Sequence, residues 1–112
     1  MKISKELAKG STGMMVLSVI SRREMYGYQI IKTVEMTSNK VFQMNEGTLY
    51  PILHSLENEG FLTSHWVESE DTGKKRKYYQ ITEKGLKELA SQEKEWKEYS
   101  TAVEKVLNYS LA

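Results

Sequence analysis

Residues 45–62 read NEGTLYPILHSLENEGFL, and this stretch decides the fold. Its apolar positions repeat at i, i+3, i+4 and i+7, the spacing of one helix face: Leu49, Ile52, Leu53 and Leu56. Asn45 or Thr48 can cap the start of this helix. Gly60 suits the left-handed position that often follows a helix end. The pattern predicts a short amphipathic helix with a polar outer face.

A β-hairpin is predicted directly after this helix. Residues 61–69, FLTSHWVES, are rich in β-branched and aromatic side chains, which favours a strand. Residues 70–75, EDTGKK, supply a turn, and residues 76–82, RKYYQIT, return as the second strand. Four consecutive cations lie at this loop and strand start: Lys74, Lys75, Arg76 and Lys77. Strand alternation would point Arg76 and Lys77 to opposite faces.

Two helices are predicted before the central stretch. From Lys5 to Ile20 apolar residues recur at helical spacing, although Gly10 and Gly13 each weaken that helix by about 1 kcal/mol. A second, shorter helix is expected from Tyr26 or Gly27 to about Thr37. Residues 41–44, VFQM, are expected to form a brief extended piece.

A long helix is predicted at the C-terminal end, capped by Thr82 and running to about Asn108. At 1.5 Å per residue it is roughly 39 Å long. Positions along it that are spaced alternately by three and four form a heptad-like apolar seam: Leu86, Leu89, Trp96, Val103 and Leu107, interrupted by Glu93 and Ser100. A body of about 80 residues cannot cover such a helix, which favours a partner chain.

Composition narrows the functional classes. The 112 residues have a net charge of only +1 and no cysteine, which excludes disulfides, zinc–thiolate sites and thiol nucleophiles. Residues 14–20, MMVLSVI, are too short to span a bilayer, so we expect a soluble cytoplasmic protein with no membrane partner. Asp71 is the single aspartate, and His54 and His65 lie on different elements. We therefore expect neither catalysis nor a metal or cofactor site.

The order of elements is that of a mainly α (α+β) fold, a winged helix-turn-helix with a long C-terminal dimerisation helix. Residues 1–82 would form the DNA-binding domain, and residues 83–112 would dimerise by packing with helix 1 of the partner subunit. A protein–protein adaptor with this fold is the main alternative, but its wing would be uncharged. A metal-sensing winged helix would need thiolates or a histidine cluster.

Four segments in this order also carry a family resemblance: MYGYQI at 25–30, GTLYPILHSLENEGFL at 47–62, GKKRKYYQIT at 73–82 and EKG at 83–85. Together they resemble the PadR family of bacterial transcriptional regulators over nearly the whole chain. The single C-terminal helix is similar to the short, LmrR-like branch, which includes multidrug-sensing repressors. Trp96 matches the tryptophan of those sensors.

The resemblance implies a homodimeric repressor that places one recognition helix in each major groove of operator DNA. The candidate DNA-binding residues are Tyr26, Gly27, Tyr28, Asn45, Thr48, Tyr50, His54, Lys74, Lys75, Arg76, Lys77 and Tyr78. From Glu46 to Glu59 there is no Lys or Arg, so a bidentate cation–guanine contact is not available there. Base reading would depend on hydroxyl and imidazole contacts and on DNA shape. Glu57 and Glu59 are expected to point away from the DNA.

The resemblance also implies an effector site, in which a planar aromatic molecule stacks between the Trp96 rings of the two subunits. The matching lining positions are Leu7, Gly10, Gly13, Met14, Glu88, Gln92, Trp96 and Ser100. Leu86, Leu89, Val103 and Leu107 would form the dimer contact. Three of the lining residues are polar, which leaves the ligand class open. Trp96 as an ordinary buried anchor of the dimer remains the alternative.

Overall fold

The computed structural model describes residues 3–111 of the chain. Its elements follow in the order helix, helix, strand, helix, helix, strand, strand, helix. Their bounds are α1 Lys5–Ala8, α2 Thr12–Arg22, β1 Met25–Tyr26, α3 Gly27–Thr37, α4 Glu46–Asn58, β2 Leu62–Glu68, β3 Lys75–Ile81 and α5 Glu83–Leu107. The winged helix-turn-helix architecture predicted from the sequence is confirmed.

The N-terminal helix differs from the sequence prediction, because it is broken between Ala8 and Thr12. The carbonyl of Ala8 accepts the side-chain hydroxyls of Ser11 and Thr12, at 3.1 and 3.0 Å, as well as the Ser11 N–H at 3.0 Å. Ser and Thr hydroxyls compete with helical amides in this way. Gly10, which has a low helix propensity, lies at the break. The single helix predicted from Lys5 to Ile20 is therefore wrong.

The helix-turn-helix pair consists of α3 and α4. The Asn45 side chain accepts the Thr48 N–H at 3.0 Å, so Asn45 is the cap of α4 and the alternative cap, Thr48, is wrong. Gly60 has φ +82°, and the N–H of Phe61 donates to the carbonyl of Leu56 at 2.9 Å. This is the Schellman ending that the glycine predicted. Residues 41–44 form no strand, so the expected extended piece takes no part in the sheet.

The sheet has three antiparallel strands in the order β1-β3-β2, not the two that were predicted. The hairpin register runs from Leu62 opposite Ile81 to Glu68 opposite Lys75. The additional strand, β1, pairs Met25 with Tyr79. Two residues are too few to show a periodic pattern in sequence, which is why β1 was missed. We call β2, β3 and the loop of residues 69–74 the wing.

The core lies where α2, α3, α4 and the sheet meet. Its most deeply buried side chains are Val16, Leu17, Ile20, Ile30, Leu49, Leu53 and Leu62. Leu89 of α5 joins this cluster at 7% exposure, so the first two turns of α5 pack into the winged-helix body. This buried cluster fixes the orientation of α4 and of the wing.

The rest of α5 extends beyond the body. No residue from Ala90 to Leu111 is buried, and the molecule measures 67 × 31 × 20 Å. The predicted cap is confirmed, since Thr82 Oγ1 accepts the Gly85 N–H at 3.0 Å. Within residues 3–111, the helices are all too short or too polar to cross a membrane.

Candidate nucleic-acid interface

The outward face of α4 carries the side chains that the sequence proposed for contact with bases. Asn45, Thr48, Tyr50 and His54 are all exposed, while Leu49 and Leu53 on the opposite face are fully buried. The amphipathic pattern therefore sorts the helix into a core face and a polar face. That polar face is the only part of α4 that an external duplex can meet.

Tyr50 connects α4 with the start of α3. A Cβ atom built on Gly27 would lie 2.9 Å from the Tyr50 hydroxyl, so only glycine allows the phenol to approach this closely. Tyr28, the next residue, is 56% exposed. The first amides of a helix lack helical acceptors and can hold a phosphate oxygen. The fold thus brings three of the predicted residues, Gly27, Tyr28 and Tyr50, to one corner.

Tyr26, Arg76 and Tyr78 lie together on the sheet face that points away from α4. The Tyr26 and Tyr78 rings meet edge to face, with centroids 5.3 Å apart, and the Arg76 guanidinium lies 4.6 Å from the Tyr26 ring centroid. His65 stacks on Tyr78 at 6.2 Å and approaches Glu24 at 3.5 Å, contacts that the sequence analysis did not anticipate. Arg76 and Tyr78 are therefore held by aromatic neighbours on the outer sheet face.

Lys77 lies on the other face of β3, as strand alternation predicted. Its ammonium is 3.7 Å from the Glu57 carboxylate of α4, and Ser64 of β2 donates a hydrogen bond to the same carboxylate. Glu57 thus points towards the wing and bridges α4 to both hairpin strands. Sequence reasoning gave no partner for Glu57, because the residues it contacts lie 7 and 20 positions away along the chain.

The remaining wing cations are free. Lys74 lies in the loop and Lys75 begins β3, and neither forms an ion pair with any of residues 3–111. Both are exposed. Of the four cations that the sequence placed near the wing tip, only Lys77 is in an ion pair among residues 3–111, so Arg76 is available to a polyanion as well as these two.

Tyr79 lies between the core and the Glu57 bridge. It is 4% exposed, and its ring is 5.6 Å from the Lys77 ammonium. Burial raises the pKa of Tyr79 above its ordinary value, and the charges of Glu57 and Tyr50 raise it further. The folded protein therefore favours the neutral form of the phenol.

One residue of the apolar seam of α5 is buried in the core, and the other apolar residues of the seam are exposed to solvent. Leu89 is buried in its own subunit, so it cannot supply the partner with the contact area that the sequence prediction assigned to it. Exposed apolar side chains continue along α5: Leu86 48%, Trp96 49%, Tyr99 64%, Val103 38%, Val106 69% and Leu107 75%. Tyr99 and Val106 were not predicted, because they lie beside the heptad positions. The structure leaves a long apolar stripe uncovered.

The predicted effector residues are spread over two regions of the chain. Glu88, Gln92, Trp96 and Ser100 follow one another along α5, and Gln92 donates to Glu88 at 2.7 Å. Leu7 lies on α1 and is 74% exposed, while Gly10, Gly13 and Met14 lie around the start of α2. A groove of about 1190 Å³ does exist in the chain, between α1, residues 39–45 and α4. None of the predicted effector residues lines that groove.

Metal chemistry has no support from the geometry. In the part of the chain that the structure describes, no group of three or more His, Cys, Asp or Glu side chains is placed to hold an ion.

A winged helix-turn-helix with a basic wing and a protruding C-terminal helix defines a class of transcription regulators. Residues 16–91 match the model of the transcriptional regulator PadR-like family, and this chain belongs to that family. The same fold occurs in a PadR family transcriptional regulator from Eggerthella lenta, with 34% identity, 94% and 88% of the two chains covered and a TM-score of 0.82.

Two other proteins are similar over most of their length. A transcriptional regulator from Clostridium thermocellum is 27% identical, with 89% of this chain and 96% of that chain covered and a TM-score of 0.82. An uncharacterized protein from Lysinibacillus sphaericus is 30% identical over 102 residues, which are 91% of this chain and 93% of the relative. The similarity therefore includes α5 as well as the winged-helix body.

Proposed function

We propose that this PadR-family protein is a cytoplasmic homodimeric repressor that binds operator DNA. The observation that carries the proposal is the exposed polar face of α4 beside a wing with three cations that form no ion pair among residues 3–111: Lys74, Lys75 and Arg76. In this arrangement α4 would enter the major groove and the wing would contact the flanking backbone. Residues 3–82 would be the DNA-binding part of the chain.

Affinity and specificity would come from different parts of this surface. Lys74 and Lys75 would neutralise phosphates, and the first amides of α3 beside Tyr50 would hold another. Base reading would fall to Asn45, Thr48 and His54, which can form single hydrogen bonds but no bidentate cation–guanine contact. We therefore expect operator recognition to depend strongly on DNA shape.

Dimerisation would cover the apolar stripe of α5. Five apolar side chains of α5 are exposed in one chain and form a stripe that is unfavourable to leave in water: Trp96, Tyr99, Val103, Val106 and Leu107. A symmetric pairing of residues 83–111 with a second copy, including its α1, would bury them. The two α4 helices would then address half-sites about 34–36 Å apart.

We further propose an effector site at the centre of the dimer. Trp96 and Tyr99 present neighbouring rings whose centroids lie 6.4 Å apart, and Trp96 is half exposed. Two such pairs facing each other would offer flat walls to a planar aromatic molecule. The molecule would release DNA only if it binds one arrangement of the two subunits more tightly than the other. The assignment of this chain to the short, LmrR-like branch of the family is part of the same proposal.

The experiment that tests the main proposal is selection of duplexes from a random-sequence pool, followed by sedimentation of the free and bound protein. We expect enrichment of an inverted repeat, bound by two chains. A promoter that overlaps this repeat should be less active when the protein is present. Recovery of unenriched sequences, or a single chain at micromolar concentration, would contradict the proposal and favour the adaptor alternative.

A further inference from the structure

The C-terminal end of α4 is held by the first residues of α5. The Thr82 hydroxyl lies 2.7 Å from the Gly60 carbonyl oxygen and 3.1 Å from that of Phe61, and it accepts the Gly85 N–H at 3.0 Å. The Thr82 N–H donates to the Phe61 carbonyl at 3.0 Å. One side chain therefore caps α5 and binds the turn that directly follows α4 at the same time.

Two neighbouring residues strengthen this junction. The Lys84 ammonium donates to the Glu59 carbonyl at 2.9 Å, so the three successive carbonyls that follow α4 have partners in α5 or its cap. Gly85 is buried, and a Cβ atom there would overlap the Phe61 carbonyl oxygen. The two helix ends are thus in direct backbone contact.

We propose that Thr82 is a positioning residue that locks the recognition helix α4 to α5. This inference rests on the proposed function, because it assigns to α5 the spacing of the two recognition helices in the dimer. A rotation of α4 relative to α5 breaks the bonds to Gly60 and Phe61. With the bonds intact, the distance between half-sites is set by the α5 pairing and transmitted to α4 through these bonds together with the packing of Leu89 in the core.

The test is a panel of duplexes in which two selected half-sites are separated by the preferred spacer or by one or two base pairs more or fewer. For each protein the measured quantity is the ratio of dissociation constants between shifted and preferred spacing. Thr82→Val removes the hydroxyl contacts with Gly60 and Phe61 and the cap on the Gly85 N–H, and we expect it to lower this ratio at least about fivefold. Thr82→Ser keeps the hydroxyl and should restore the wild-type ratio.

Two further variants sharpen the comparison. Lys84→Met removes the bond to Glu59 and the contact of the ammonium with the Phe61 ring, and it should lower the ratio about twofold. Thr63→Val makes the same side-chain change at an exposed position of β2 and should leave the ratio unchanged. A role limited to stability would reduce the active fraction equally for every spacer, so the ratio separates positioning from folding.

The outcomes are distinct. A folded Thr82→Val protein with the wild-type ratio overturns the inference and leaves the proposed function standing. If Thr82→Val is unfolded at the assay temperature by circular dichroism, an unchanged ratio in Lys84→Met overturns the inference instead. A wild-type protein that enriches no duplex, or that binds all spacings equally, overturns the proposed dimeric repressor and with it this inference.

Discussion

The Glu57 carboxylate of α4 lies 3.7 Å from the Lys77 ammonium of β3, and this pair joins the recognition helix to the wing. The side chains are 32% and 37% exposed, so solvent screens the pair and its contribution to stability is small. Its larger effect is on the charge of the wing, because the Glu57 carboxylate neutralises Lys77, one of the four wing cations. The consequence can be measured in DNA binding.

Glu57→Gln should tighten binding to random-sequence duplex. The amide can still accept the Ser64 hydrogen bond, but it no longer neutralises Lys77, which becomes free to reach phosphates. One released cation per subunit should steepen the slope of log K against log salt by up to about 1.8 per dimer. Glu59→Gln changes the same charge without freeing a cation, and its slope should match the wild type. Equal slopes in the wild type, Glu57→Gln and Glu59→Gln would show that Glu57 does not keep Lys77 from the phosphates.

Replacement of Lys74 and Lys75 by alanine should flatten the same slope. Four lost cations per dimer correspond to about 3.6 in the slope, if each one contacts a phosphate. Binding to any duplex should weaken, independent of sequence. A Lys94→Ala/Lys105→Ala double variant removes the same charge from the α5 side opposite Trp96 and is the matched control. A slope that falls equally in both variants would point to net charge alone, not to the wing.

Tyr79→Phe should make stability less sensitive to alkaline pH. Because the folded protein raises the pKa of Tyr79, the neutral phenol stabilises the fold fully below the unfolded pKa near 10. This stabilisation is lost as pH rises through the folded pKa, because the unfolded chain releases the proton first. Urea unfolding at pH 8 to 11 should show a steeper alkaline decline in the wild type than in the variant. The lysines titrate in both proteins, so they do not cause a difference between them. If the stability of the wild type and of Tyr79→Phe declined in parallel, the raised pKa of Tyr79 would be contradicted.

Val103→Lys should dissociate the proposed dimer. Val103 is 38% exposed in one chain, and a charge at this position would be buried by the partner. We expect the dimer dissociation constant from sedimentation to rise at least about 100-fold, which corresponds to about 2.7 kcal/mol. Val67→Lys is the control, because Val67 has nearly the same exposure, 39%, but lies on the wing. A dimer that resists Val103→Lys would exclude this stripe as the contact.

Planar aromatic compounds should quench Trp96 if they bind at the dimer centre. Trp66 is 65% exposed and also emits, so each tryptophan is replaced in turn by phenylalanine. Quenching that is lost in Trp96→Phe and kept in Trp66→Phe supports the effector site. The reverse pattern would place the compound at the wing.

The elements that local spacing encodes were predictable. The leucine spacing of α4, Gly60 at its end and Thr82 at the start of α5 each act within a few residues, and all three are confirmed. The choice between Asn45 and Thr48 was open, because both types accept a first-turn amide. The strand β1 was missed because its pairing with Tyr79 is set by the fold.

The types of residue at the candidate site could be predicted from the sequence, but the contacts between them were less predictable. The sequence identified four cations at the wing, yet it could not show that Lys77 meets Glu57 or that Arg76 lies over Tyr26. Both contacts join segments that are distant along the chain. Likewise, the heptad pattern could not show that Leu89 belongs to the core of its own subunit.

The two ends of α5 differ in local stability. The first turns of α5 are anchored through Gly85 and Leu89, whereas no residue from Ala90 to Leu111 is buried. A helix without tertiary packing frays readily in water. Amide hydrogen exchange in dilute protein should consequently be slow up to about Leu89 and fast beyond it, with the boundary moving outward as concentration rises.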